Sequence, residues 1–330
     1  MDKIRVGFIG CGGNASGHIG RVLDIPEAEV AALCDVDQAS LQRAKERHSQ
    51  AAELPEFTHY QEMLEQVELD AVEISTPHTL HFEQIMAALD KRLHVLTEKP
   101  MVCTVDHARQ VIAKAEETGK LVMISYQRHL QAQYRYVHNQ IAAGELGDIQ
   151  FISALQDQKW YQGTIGLWRQ QMALSGGGQL NDSGSHLLDI ALWMTGLEVA
   201  EVQAYMEYLD SEVDINSALS LRFGNGALGT IAVVGNSPAS GIWEDITIWG
   251  TKAVVYMRRG QIFYKTQHSN EVYEVNNLPG STTPDQNFID AILGRDQVQV
   301  PPECGLRVIE LTEAAWASAA SGQPVKVKSI

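Results

Sequence analysis

A chain of 330 residues is longer than one ordinary hydrophobic core covers and suits two domains. Apolar residues at 45% and charged residues at 20% are globular proportions that leave no room for a long disordered tail. With 25 basic against 41 acidic residues the formal charge is -16, which argues against nucleic acid as a partner, because affinity for a phosphate backbone comes from basic side chains.

The opening MDKIRVGFIGCGG passes from two charges directly into an apolar run and then glycines, without the pattern of a signal peptide. No run approaches the ~20 apolar residues of a membrane span, so the expectation is a cytoplasmic protein with no membrane partner. Residues 4–10 form a β-rich run, followed by a helix over about 13–23. A second strand over 29–35 leads into a helix over 39–48, and strands at 70–76, 93–98 and 121–126 alternate with helices at about 79–90 and 104–118. This alternation predicts a parallel sheet covered on both faces. After about residue 128 the pattern changes to one helix over 132–143, the turn GELG, and strands with few helices between them. Asn225-Gly226 predicts a two-residue hairpin, 242–275 a meander of short strands, and 306–318 a helix closed by Gly322 and Pro324. The predicted fold class is α/β: an N-terminal Rossmann doubly wound parallel sheet over 1–124, then an α+β domain with a large, mainly antiparallel open sheet over 125–330. Cys11, Cys34, Cys103 and Cys304 lack metal-ligand or disulfide spacing, so no metal is expected and the thiols read as small buried side chains.

Gly10-Cys11-Gly12-Gly13-Asn14-Ala15 fits the dinucleotide fingerprint GxGxxG/A. The first glycine permits the turn, the second lets backbone approach a pyrophosphate, and the small third residue allows close packing. A strand precedes it, a helix follows, and Asp35 lies 20 residues beyond Ala15 at the end of the second strand. Asp35 suits a ribose diol and repels an extra phosphate, so NAD is expected rather than NADP. The bland alternative is a packing turn with Asp35 capping the next helix.

Glu98-Lys99-Pro100 closes the strand at 93–98, and ligands of open parallel sheets lie beyond the carboxyl ends of strands. Taken alone, Lys99 reads as solvated surface, and its context must decide. The segment from Gly176 to His186 is a glycine-rich approach to a helix beginning near Ser185, and Asp182 and His186 stand four residues apart. Alcohol oxidation needs a base for the hydroxyl proton and a cation or donor at the developing alkoxide, roles that histidine, lysine and aspartate fill. A helix cap for Asp182 and a first-turn histidine for His186 are the alternatives.

In order and spacing, GCGGNASGH (10–18), CDVD (34–37), STPHTLH (75–81), EKP (98–100), GELGDI (144–149), GGGQLNDSGSHLLDIALWMTG (176–196) and the closing SGQPV (321–325) resemble the glucose-fructose oxidoreductase and inositol dehydrogenase family, Gfo/Idh/MocA, over nearly the whole chain. The resemblance implies a Rossmann domain followed by an α/β domain whose open sheet makes homodimer or homotetramer contacts. It implies catalysis by Lys99, Asp182 and His186, with Ser75, Thr76, His78, His81 and Glu98 as cofactor neighbours. His78 departs from the asparagine common at that position, though an imidazole still donates a hydrogen bond.

Asp157, Trp160, Trp168, Arg128 and Arg169 are the polar and aromatic candidates for holding a sugar or polyol, with Arg169 also a candidate for the cofactor. Core or interface packing for the tryptophans and surface ion pairing for the arginines are their alternatives. Three functions compete: NAD-dependent hydride transfer at a sugar, cyclitol or polyol hydroxyl carbon; an NAD-dependent glycoside hydrolase working by transient oxidation and elimination; and a non-catalytic NAD-binding regulator. The intact lysine, aspartate and histidine count against the third.

Overall fold

A computed structural model describes residues 3–239, 244–269 and 271–327. Among these, the chain forms two compact units. The first holds the residues up to Val102, then Asp106–Gln127 and Thr282–Gly305; the second holds Cys103–Val105, Arg128–Ser281 and the residues from Leu306 on.

The first unit alternates strand and helix: β1 (Ile4–Ile9), α1 (Gly13–Asp24), β2 (Ala28–Cys34), α2 (Gln38–Arg47), β3 (Glu56–Phe57), α3 (Tyr60–Gln66), β4 (Ala71–Ile74), α4 (His81–Asp90), β5 (His94–Thr97), α5 (Val105–Thr118) and β6 (Val122–Ile124). The six strands are all parallel, in the order β3-β2-β1-β4-β5-β6, the doubly wound arrangement of dinucleotide-binding folds. Central parallel strands are covered on both faces and therefore read as continuous apolar runs. In β4 all four residues are buried, and one of them is Glu73.

In the second unit come α6 (Ala132–Ala142), β7 (Ile149–Asp157), the short helices α7 (Trp160–Thr164) and α8 (Met172–Ser175), then α9 (Gly184–Thr195). They are followed by β8 (Val199–Glu207), β9 (Asn216–Phe223), β10 (Leu228–Val234), β11 (Glu244–Gly250), β12 (Ala253–Arg258), β13 (Gln261–Thr266) and β14 (Tyr273–Glu274). After α10 (Pro284–Ile292), the chain ends with α11 (Pro302–Ser321) and β15 (Val325–Lys326). The nine strands run β14-β13-β12-β11-β7-β10-β9-β8-β15, antiparallel except for β7 beside β10. Period-two alternation along β7 and β9 sends Ile152, Ala154, Leu219 and Leu221 to the buried face.

Two expectations are corrected. The hairpin at Asn225-Gly226 has a three-residue loop: Gly226 N donates to Phe223 O, Phe223 N donates to Ala227 O, and Gly226 takes φ 89°. A type I turn followed by a left-handed residue produces this pattern. A single boundary after residue 124 also fails, because Thr282–Gly305 returns to the first unit. It is tied there by Ile124 N donating to Val300 O at 3.0 Å and by Asp285, whose carboxylate meets His18 and Arg21. Of the 242–275 meander, residues 242, 243 and 270 lie outside the described residues.

Candidate active site residues

The glycine loop of the first unit is shaped for close approach. Gly10 has φ 90°, and a Cβ there would stand 2.6 Å from the Ser75 carbonyl oxygen, so only glycine fits. Gly12 caps α1 and Gly13 begins it, and a Cβ on either meets nothing within 4 Å. The space before the helix is therefore open, and its first-turn amides suit a pyrophosphate. Asn14 is exposed in that turn, while Ala15 is fully buried beneath it. The Asp35 carboxylate accepts from Cys11 N at 2.7 Å and Asp37 N at 2.8 Å, so it anchors the loop as well as closing β2. Asp37, not Asp35, caps α2. Burial, aided by the Asp35 charge, pushes the Cys34 thiol up to about 12 and leaves it unreactive. These residues fit NAD.

Ser75 follows β4, its Oγ buried without a hydrogen-bond partner among the described residues. Thr76 Oγ1 donates to Gln84 Oε1 at 2.6 Å. His78 is buried and meets His81 edge-on, with ring centroids 5.9 Å apart. His81, expected beside the cofactor, is fully buried with Nδ1 2.8 Å from Pro100 O and Nε2 3.0 Å from Thr76 O. Burial lowers its pKa, so the neutral ring holds the Thr76 and Pro100 turns and does not face a ligand. The Glu98 carboxylate is engaged on both oxygens: its Oε1 lies 3.0 Å from His18 Nε2 and its Oε2 accepts from Lys99 N at 3.2 Å. Burial alone would raise this carboxyl, but the bond to His18 and the charges of His18 and Lys99 hold it at about 2. Lys99 itself is half-buried at the end of β5. His18, Glu73 and Asp285 form a buried group with Glu98 that the sequence reading did not single out. A glutamate inside the apolar run DAVEIS was the available signal.

In the second unit Asp182 stands just before α9, buried, with Oδ2 accepting from Trp160 Nε1 at 2.7 Å and Arg169 Nε at 3.1 Å. It is no helix cap, since Ser183 holds that position without a side-chain bond. His186 is the third residue of α9 and half-buried. Ser185 Oγ donates to the Asp182 carbonyl at 2.7 Å, tying the helix start to the aspartate. Asp214 fixes the glycine-rich approach by accepting from Gly178 N, Leu180 N and Trp316 Nε1. A Cβ at Gly178 would stand 1.9 Å from the Asp214 carbonyl oxygen, which explains the glycine there.

Four substrate candidates already have partners within the chain. Trp160 packs with Val213 and Ile215 and spends its N–H on Asp182, so it supports the carboxylate instead of stacking on a sugar. Trp168 carries the Arg169 guanidinium over its ring at 4.4 Å. Arg128 is no surface arginine: its guanidinium is paired with buried Glu244, which also accepts from Tyr134 Oη. Asp157 follows Gln156 in β7, and Gln156 faces Glu244 beneath the helices, so Asp157 points to the opposite face, where it accepts from Ser237 Oγ at 3.2 Å.

Residues 4–126 match the oxidoreductase family with an NAD-binding Rossmann fold, GFO_IDH_MocA, and residues 134–256 match the GFO/IDH/MocA C-terminal domain. The chain belongs to the Gfo/Idh/MocA family. It is 28% identical over 194 residues to the D-glucoside 3-dehydrogenase of Escherichia coli K12, a match covering 58% of this chain and 54% of that enzyme. It is 29% identical over 181 residues to the alpha-N-acetylgalactosaminidase of Shewanella oneidensis, covering 51% of this chain and 39% of that protein. The crystal structure of the WlbA dehydrogenase from Bordetella pertussis with NADH and UDP-GlcNAcA superposes with a TM-score of 0.86 at 26% identity, over 99% of this chain and 100% of that one. Among the described residues no helix of this Gfo/Idh/MocA protein is long and apolar enough to cross a membrane.

Proposed function

We propose that this protein transfers a hydride between NAD and the hydroxyl-bearing carbon of a sugar, cyclitol or related polyol. The observation that carries the reading is the joint presence of an open NAD-binding glycine loop and a buried carboxylate, Asp182, fixed by Trp160 and Arg169 four residues before His186. Held at Gly12, Gly13 and Asp35, NAD supplies the hydride acceptor. His186 takes the hydroxyl proton, the Lys99 ammonium steadies the developing alkoxide, and Asp182 orients the histidine end of the site. Asp35 favours NAD over NADP by repelling the additional phosphate. Arg128 and Arg169 are each paired with a carboxylate, Glu244 and Asp182, which favours an uncharged substrate. The partner we propose beyond that small molecule is a second copy of the chain, met through the open sheet face as a homodimer or homotetramer.

Likeness to alpha-N-acetylgalactosaminidase supports a second reading, in which the same oxidation is transient and acidifies the adjacent C–H for glycoside elimination. A panel of sugars, inositols and aryl glycosides with NAD or NADP separates the two. Stoichiometric NADH absorbance marks the dehydrogenase; released aglycone without NADH marks the hydrolase. Lys99→Ala and His186→Ala should keep NAD affinity within about twofold and lose roughly a hundredfold or more in kcat. Wild-type activity in either variant removes its assigned role, and NAD binding with no turnover on any substrate overturns the proposal.

A further inference from the structure

The first unit buries more charge than NAD binding or hydride transfer uses. His18 and Arg21 come from α1, Glu73 from the middle of β4, Glu98 from the turn after β5, and Asp285 from the first turn of α10. His18 Nδ1 lies 2.5 Å from Glu73 Oε1 and 2.9 Å from Asp285 Oδ1, while Nε2 lies 3.0 Å from Glu98 Oε1. Arg21 Nε closes on the other oxygen of Asp285. His18, Glu73 and Asp285 are buried, and buried carboxylates persist only when paired and hydrogen-bonded. Both ring nitrogens face carboxylate oxygens, so the ring bonds on its two sides at once as an imidazolium.

We propose that His18 is a positioning residue for the Glu98-Lys99 turn. Held at Nδ1 by the hydrogen bond to Asp285, with the Glu73 carboxylate beside it, the ring holds Glu98 at Nε2, and the second oxygen of Glu98 receives the Lys99 amide, fixing the backbone from which the Lys99 side chain leaves. The effect on turnover rests on the catalytic reading of Lys99 given above; the holding of the turn does not. The charged groups facing His18 are Arg21 on its own helix, Glu73, Glu98 and Asp285 from the elements packed against it, and Lys99 beyond Glu98. Although burial opposes it, the surrounding carboxylates raise the His18 pKa well above its ordinary value, and Glu98 stays ionised down to about 2.

A metal held by His18, Glu73 and Asp285 is the rival for this cluster. Adjacent oxygen and nitrogen ligands on a small divalent ion stand ~3 Å apart. The 2.5 Å between Nδ1 and Glu73 Oε1 is shorter than that, Nδ1 already bonds Asp285 Oδ1, and Arg21 answers the other oxygen of Asp285.

Hydrogen exchange read by mass spectrometry on the full chain, with and without NAD, tests the proposal in His18→Gln, Asp285→Asn and Glu98→Gln. His18→Gln strips the cation from three carboxylates and is the variant most exposed to misfolding; Glu98→Gln leaves the grip of His18 on Asp285 intact and cuts only the link to the turn. For Glu98→Gln, amide exchange in the peptide spanning 97–101 should quicken about tenfold while β1 and the second unit keep wild-type rates. On whichever substrate the panel identifies, kcat should fall about tenfold with NAD affinity within about twofold. An unchanged turn in Glu98→Gln, a rise spread evenly over the unit, or a stoichiometric divalent metal in the purified protein overturns the proposal. Should the wild type oxidise no sugar, the functional reading fails and the exchange result still decides this one.

Discussion

At the scale of single residues, Asp35 has two employments. Its carboxylate accepts from Cys11 N and Asp37 N, so the group that would meet a ribose is already oriented by the loop it anchors. Asp35→Asn keeps the size and one acceptor but loses the charge. Equilibrium titration by nicotinamide fluorescence should show NADH affinity falling about tenfold and the discrimination against NADPH shrinking, because the repulsion of the extra phosphate is gone. An unchanged preference would mean that Asp35 does not face the ribose. Asp35 was legible because backbone geometry demands particular residues around it: glycines at close approach, a small residue under the helix, and an acid at the end of the next strand; Asp182 and His186 were singled out by the family resemblance, their spacing alone leaving a cap and a first-turn histidine open. What surrounds Asp182 was not legible, since the bonds to Trp160 and Arg169 span 22 and 13 residues and no short-range pattern encodes them.

Among the elements, β1, β2, β4, β5, β6 and the long helices followed from hydrophobic periodicity, while the two-residue β3 and α10 did not. Its sequence PDQNFIDAI marks an amphipathic helix, but nothing in it says which unit it joins; that is settled by Asp285 meeting His18 and Arg21. This attachment is pH-dependent. Glu98, held at about 2, and Asp285, also lowered, stabilise the fold above the ordinary carboxylate range and lose that contribution as pH falls through their folded values. Burial raises Glu73 to about 7 against the pull of His18, so stability falls as pH rises from about 4.5 to 7. His18, with its pKa raised, stabilises fully below about 6.5 and loses this as pH rises through its folded value. Each proton held only by the folded state steepens the alkaline decline by about 1.4 kcal/mol per pH unit. Thermal melts should therefore peak near pH 4–5 and fall by pH 9, and Glu73→Gln should flatten the stretch between pH 5 and 7. A flat wild-type profile from pH 5 to 9 would contradict the linkage.

For the whole molecule, the question is how many copies act together. On the face of the nine-stranded sheet opposite α9, Phe151 meets Trp249 edge-on at 5.6 Å, and Leu228 and Tyr205 stand exposed. Apolar side chains exposed on one face of a sheet suit a self-complementary contact. Light scattering should give at least twice the mass of one chain, and Leu228→Lys should shift it toward the monomer. A wild-type protein that scatters as a monomer at tens of micromolar removes the proposed partner. A mainly antiparallel sheet was readable in the sequence, and that it is open was implied by the family resemblance; which of its two faces the helices cover was not legible, because periodicity is symmetric between faces.

The route of the chain also sets a timetable. Roughly 150 residues lie between Gln127, where the first unit pauses, and Thr282, where it resumes. At a ribosomal pace of about 5–20 residues per second, the strands and helices up to β6 are made roughly eight to thirty seconds before Asp285. Throughout that interval His18 and Arg21 lack one carboxylate and Val300 is not there to extend β6. The nucleotide-binding unit is first to begin on the ribosome and among the last to be complete, which makes the unfinished edge beside β6 the place where a nascent chain most needs protection from other strands.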